Sequence, residues 1–233
     1  MVTLTSFINT FNNKLEAPVQ QHLKGVYGCL AATTILASIG AYSFLAGWLS
    51  AGLLPALGAL GLGLGLMMTS PDAKNFNMRL GMLLGLGFLS GLGLGPLLAH
   101  VAQINPRIIT TALFGTSLVF VAFSSSAIFA ERGKWLFLGE TIVSILNMMF
   151  FTSLANIFLQ STLIYQTHLY VGLFVMCAFV LYDTQAIIEK FRAGSRDTVG
   201  HAFDLFLDFI GIFKRLLIIL SQKEENEKKK RQQ

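Results

Sequence analysis

Charge is what this sequence has least of. Only 12% of its 233 residues are Asp, Glu, Lys or Arg, where a soluble domain carries about 25%. So thin a polar coat excludes a disordered chain, a nucleic-acid module and an ordinary cytosolic enzyme, and it leaves an integral membrane protein. Cysteine is almost missing. Cys29 and Cys177 both sit in apolar runs, which excludes a disulfide framework or thiolate metal site and leaves two buried small apolar side chains. A cleavable signal peptide is also lacking, because the first 24 residues are polar and the first apolar run is too long for an h-region.

What the sequence has is hydrophobic length. Hydrophobic residues make up 54% and the mean hydropathy is +0.64. Residues 25–71 hold no acid, base or histidine; these 47 residues exceed the about 20 that one helix needs to cross a bilayer. They divide into spans over 25–47 and 51–68, with a hinge marked by Trp48, Gly52 and Pro55. Further spans fall at 80–99 and 108–130. The 48 residues from Trp135 to Tyr182 contain only Glu140 and His168 and give two more, 136–157 and 164–186. A seventh candidate covers 200–221, which leaves residues 1–24 as an N-terminal segment and 222–233 as a basic tail. Trp48, Trp135 and Tyr165 lie at span ends, where interface aromatics belong. Phe7, Phe11 and Leu15 recur every four residues, so the N-terminus reads either as a short amphipathic surface helix or as a solvated tail.

The net charge of +5 lies in short loops and the tail, so it speaks to topology. With the N-terminus inside, Lys14, Lys24, Lys74, Arg79, Arg132, Lys134, Lys190, Arg192 and Arg196 are all cytoplasmic, and among the outer loops of the first six spans only Arg107 is basic. A full seventh span would put Lys223 and Lys228 to Arg231 outside; six spans plus a re-entrant segment would keep them inside. Both arrangements are open at this level.

Ten glycines lie between Gly58 and Gly95. Gly61/Gly65, Gly81/Gly85 and Gly87/Gly91/Gly95, followed by Pro96, are spaced by four, which makes flat helix faces for close packing in lipid. A phosphate loop is excluded, because no strand precedes GLGLG and no Lys-Ser/Thr follows it.

Four acids fall inside spans: Glu140, Asp183, Asp204 and Asp208. Glu140 is near a span end and can snorkel. Segment 200–221 carries Asp204, Asp208, Lys214 and Arg215, each costing about 2.5–3.5 kcal/mol at a helix centre, while its Leu, Ile and Phe residues return about 0.3–0.6 kcal/mol each. The sum is unfavourable, so this helix must face other helices or water. His201, Asp204, Asp208, Gly211 and Arg215 form one stripe on it. The midpoint between Asp183 and Asp208 falls in the polar turn FRAGSRDTVG, residues 191–200. A hairpin there sets the two carboxyls side by side at one depth, where they share a proton. Intramembrane acids of this kind mark proton relays, cation sites or gates.

Several chemistries fail on residues. Tyr182-Asp183 matches one half of an intramembrane aspartyl protease motif, but Phe206-Leu207 precedes Asp208 and no proline follows Pro106. No Gly-x-Ser-Gly context and no His/Glu pair at ligand spacing is present. The expectation is therefore a protein that is no enzyme and holds no resident cofactor. Carboxylates are hard ligands, so Asp183 and Asp208 read as a transient Ca²⁺ site in which cation and proton compete.

The stretches QQHLKGVY at 20–27, GFLSGLGLGPLL at 87–98, INPRIITTALFGT at 104–116, HLYVGLFVMCAFVLYDTQAIIEK at 168–190 and FDLFLDFIGIFKRLL at 203–217 resemble the Bax inhibitor-1 family, over nearly the whole chain after residue 20. The resemblance implies an all-α, seven-helix bundle with the last, polar helix at its centre. It implies a pH-sensitive Ca²⁺ leak across the endoplasmic reticulum membrane and suppression of stress-induced cell death. The family's paired aspartates correspond to Asp183 and Asp208, and Arg79 is nearest to its basic latch residue; Asp204, Arg79 and Arg215 are the accessory candidates beside the pair. Some prokaryotic members carry an acid in span two, and this chain has none between Glu16 and Asp72. The expected partners are membrane lipids, anti-apoptotic Bcl-family proteins or stress sensors, and a second copy in a homo-oligomer; no nucleic acid is expected. The lysine-rich tail resembles that of endoplasmic-reticulum members, so both the N-terminus and the tail are expected to be cytosolic.

Overall fold

In lipid, backbone groups have no water to bond, so an apolar run crosses as a helix. The structure, a computed structural model, describes residues 15–231; the positions of Phe7 and Phe11, on which the surface-helix reading rests, lie outside the described residues. Seven helices and no strand make up the described residues: α1 (Ala17–Leu45), α2 (Leu53–Met68), α3 (Phe76–Ile104, preceded by a 3₁₀ turn at Ala73–Asn75), α4 (Arg107–Phe129), α5 (Leu138–Leu159), α6 (Thr162–Arg192) and α7 (Thr198–Arg231).

Five of these, α1, α3, α4, α5 and α6, are long and apolar enough to cross a membrane. The chain is a polytopic all-α membrane protein. α2 has 16 residues and packs along α3. α7 is long enough but too charged to stand in lipid alone, and the bundle resolves this by enclosing it. α7 packs against α1, α3, α4 and α6, so the polar last helix is the central one. Its buried residues, among them Ala202, Leu205, Phe206, Phe209, Ile212 and Leu217, cover more than half of its circumference, while Leu207 and Lys214 are exposed.

α7 is uninterrupted over 34 residues, about 50 Å at 1.5 Å per residue. An unbroken helix of that length runs through the depth of the bundle. One face of the bundle gathers Glu16 with Arg192 (3.4 Å), Arg132 with Glu189 (2.8 Å) and Arg79 with Asp197. The other face gathers Gln166 with Gln222 (3.2 Å), Asn105 with Glu224 (3.2 Å) and the Lys228 ammonium on the Ile104 carbonyl. The start of α1 and the end of α7 therefore lie on opposite faces.

The closest helix contact is α1 on α3. A Cβ on Gly91 would overlap the Ala37 carbonyl, one on Gly87 would meet Thr33, one on Gly95 would run into the Phe44 ring, and Gly40 receives the Phe88 carbonyl in the same way. Not every glycine in the series is used. Gly85 and Gly65 meet only the flexible Leu62 and Met82 side chains, and Gly61, Gly81 and Gly93 face open space. Pro96 lies inside α3 but is exposed, so it is no part of the packing face; its missing N–H frees the Leu92 carbonyl from the helical ladder.

Candidate functional site

The α6–α7 hairpin turns through Gly194, whose φ of 106° suits glycine alone. The two helices run antiparallel from that turn and pack along each other. Asp183 on α6 and Asp208 on α7 come within hydrogen-bonding reach of one another. Asp208 is 4% exposed, and its Oδ2 has no hydrogen-bond partner. Asp183 is half-buried. Two carboxyls can share a hydrogen bond only when a proton is present between them. Asp204 lies one turn nearer the α6–α7 turn, half-exposed, with its Oδ2 3.9 Å from Lys190 Nζ.

The two arginines expected near this pair are elsewhere. Arg79, 5% exposed, forks onto Asp197: Nη1 donates to Oδ1 at 2.5 Å and Nη2 to Oδ2 at 2.8 Å. It begins α3 at the level of the turn, whereas Asp208 is ten residues into α7, about 15 Å deeper. The latch therefore holds the hairpin turn and not the aspartates. Arg215 sits two turns beyond Asp208, donates to the Gly211 carbonyl at 3.1 Å and fits against Gly172, where a Cβ would come within 2.5 Å of its Nε. Small residues at 172 and 211 make room for its guanidinium between α6 and α7. Among the described residues no ion pair joins Arg215 to an acid.

Asp197 is a functional residue that sequence spacing does not single out. It accepts from both Arg79 nitrogens and from the Gly200 N–H at 2.8 Å, capping the start of α7. Burial pushes its carboxyl up, but the Arg79 hydrogen bonds and the Gly200 N–H outweigh this and hold it below the usual aspartate value. Gln185 is equally hidden in sequence. Buried next to Thr184, its side chain accepts from the Trp135 N–H at 2.6 Å and donates to the Glu131 and Ala127 carbonyls, tying the α4–α5 connection to α6. A polar amide inside the run 164–186 was the available signal.

Among the described residues, no three His, Cys, Asp or Glu side chains gather as a metal cluster. Asp183 and Asp208 offer two carboxyls, short of the six to eight oxygens of a resident Ca²⁺ site; such a pair suits passage or proton exchange better than storage. Fold and site together define a class: a polytopic helical membrane protein with a charged helix threaded through its centre and an acid pair between that helix and α6.

Comparison with known proteins gives the particular family. The family model described as "Inhibitor of apoptosis-promoting Bax1" matches residues 19–225. The chain is 47% identical over 228 residues to Bax inhibitor 1 of Drosophila melanogaster, covering 98% of this chain and 93% of that protein. It is 46% identical over 213 residues to Bax inhibitor 1 of Homo sapiens (91% and 90% covered) and 36% identical over 208 residues to that of Arabidopsis thaliana (89% and 83%). The chain belongs to the Bax inhibitor family.

Proposed function

We propose that this protein is a pH-sensitive Ca²⁺ leak channel of the endoplasmic reticulum membrane that lowers stored Ca²⁺ and thereby suppresses stress-induced apoptosis. The observation that carries the reading is the contact between Asp183 and Asp208, with one Asp208 oxygen buried and unpartnered on the central helix. With a proton between the carboxyls, the pair ties α6 to α7 and the path is closed. Without it, two like charges meet in low dielectric, repulsion parts the helices, and a divalent cation can enter. No arginine neutralises the ionised pair in the described structure, which supports this direction of gating over the reverse.

A non-conducting role, through binding of anti-apoptotic Bcl-family proteins or stress sensors, is the second reading. Its support is the relatives' name, which speaks of inhibiting Bax. Purified protein in liposomes loaded with a Ca²⁺ dye separates the two. Flux that depends on pH and on Asp208 supports the channel; liposomes as tight as empty ones leave only the regulator.

A further inference from the structure

α1 and α7 meet through a pair of histidines set among apolar side chains. His22 Nε2 and His201 Nδ1 are 2.9 Å apart, and the residues are 8% and 4% exposed. The rings meet edge to face, while Phe191 of α6 stacks on His22 with centroids 4.5 Å apart. His22 Nδ1 lies 3.4 Å from the Thr198 hydroxyl. Both imidazoles are thus held in place by three helices.

A contact at this distance needs one nitrogen to donate and the other to accept. A neutral imidazole has one of each, and an imidazolium has two donors and no acceptor. The pair survives one added proton and cannot survive two. The charged groups facing it come from every neighbouring element: Arg79 of α3, Lys190 of α6, and Arg196 and Asp197 of the α6–α7 turn. Three are cations. The one acid, Asp197, is already committed to the Arg79 fork and the Gly200 N–H. Added positive charge therefore finds repulsion and little compensation.

We propose that His22 and His201 form an acid-sensitive clasp between α1 and α7, a proton-binding site separate from the aspartate pair, which releases the first turns of α1 when that face of the bundle is acidified. Two buried imidazoles in contact, with three cations around them, take up added charge less readily than two parted and hydrated ones. The closed clasp thus binds fewer protons than the open one. Above about pH 6.5 both states are neutral and the clasp has its full strength; below that value each proton taken up by the open state pulls the equilibrium toward opening. The same end of α1 is also held by Val19, Leu23 and Val26, buried in the core, and by Glu16, which reaches Arg192 at 3.4 Å across the surface; of these ties to α1, the apolar ones do not respond to acid.

The test is a distance measurement on the full chain in nanodiscs. Cys29 and Cys177 are replaced by alanine, and spin labels are placed at Lys24→Cys and Ala193→Cys, both exposed positions. Pulsed EPR at pH 8 and pH 5 should show a longer component only at pH 5. His22→Gln combined with His201→Gln, which cannot take up a proton, should give one distribution at both pH values. Asp208→Asn should keep the acid-dependent lengthening, so failure of the aspartate gate and failure of the clasp are told apart. Absence of lengthening in the parent, or equal lengthening in the double glutamine variant, overturns the clasp. If that variant does not fold, histidine NMR of the parent decides. Two coupled titrations below the ordinary histidine range support the clasp, and two independent ordinary ones overturn it.

Discussion

Arg79 and Asp197, 118 positions apart in the chain, form a two-pronged ion pair that fastens the start of α3 to the turn between α6 and α7. The arginine is almost fully buried and the aspartate side chain is 20% exposed. Removing one partner of such a pair leaves a buried charge without compensation, at a cost on the order of 3 kcal/mol.

Asp197→Asn should therefore lower the melting temperature in detergent markedly, and more than Asp72→Asn, whose partner Lys74 is exposed and 4.0 Å away. The sign with pH follows from the lowered carboxyl of Asp197. Its contribution is complete above the ordinary aspartate value, about 3.9, and is lost as pH falls through the depressed folded value. Thermal unfolding from pH 3 to 7 measures this. The difference between parent and Asp197→Asn should be largest at pH 7 and shrink at pH 3; a constant difference would show that the pair is not what stabilises the turn.

Asp183→Asn and Asp208→Asn should each abolish the pH dependence of Ca²⁺ flux in proteoliposomes between pH 5.5 and 8, because either removes the shared titration. Asp204→Asn should change it less, since Asp204 faces Lys190 at 3.9 Å and is half-exposed. A parent-like pH profile in both Asn variants would exclude the pair as the sensor.

Gly91→Leu should prevent folding, and Gly91→Ala alone should cost about 1–3 kcal/mol, because its Cβ would overlap the Ala37 carbonyl and backbone must move. Gly93→Ala, two residues away and facing open space, should leave stability unchanged or raise it by helix propensity. Size-exclusion profiles and melting curves in detergent compare them. Equal behaviour of the two alanine variants would mean that α1 and α3 do not pack through this face.

Tags at the two ends of the chain should respond oppositely to protease in sealed microsomes, since α7 carries its last turn to the face away from the start of α1. The positive-inside bias gives the N-terminal tag as the one cleaved. Digestion of both tags would require α7 to leave the bundle before its end.

Much of this architecture is local information. Long charge-free runs become helices because lipid offers the backbone no other partner, so the helical class follows from the runs themselves. The depth of Asp183 and Asp208 follows too, because a hairpin about the 191–200 turn places equal offsets at equal depth. The opposition of charge cost and apolar return in segment 200–221 is enough to require that α7 be enclosed. Other features needed the folded chain. Arg79 reads as a free latch until α3 is placed beside the turn, and then Asp197 is nearer than any intramembrane acid. Gly91 and Gly93 are indistinguishable in a glycine-rich string; the rotation of α3 against α1 decides which one touches backbone. His22 and His201 are 179 residues apart, and nothing in either neighbourhood names the other. The face of the bundle that the end of α7 reaches also lay beyond the sequence, because counts of Lys and Arg permitted two topologies; the unbroken helix from Thr198 to Arg231 ends on the face away from the start of α1. Spacing along one helix or about one turn is set by fixed backbone geometry, whereas contacts between distant segments depend on how whole helices pack, and that is a property of the bundle.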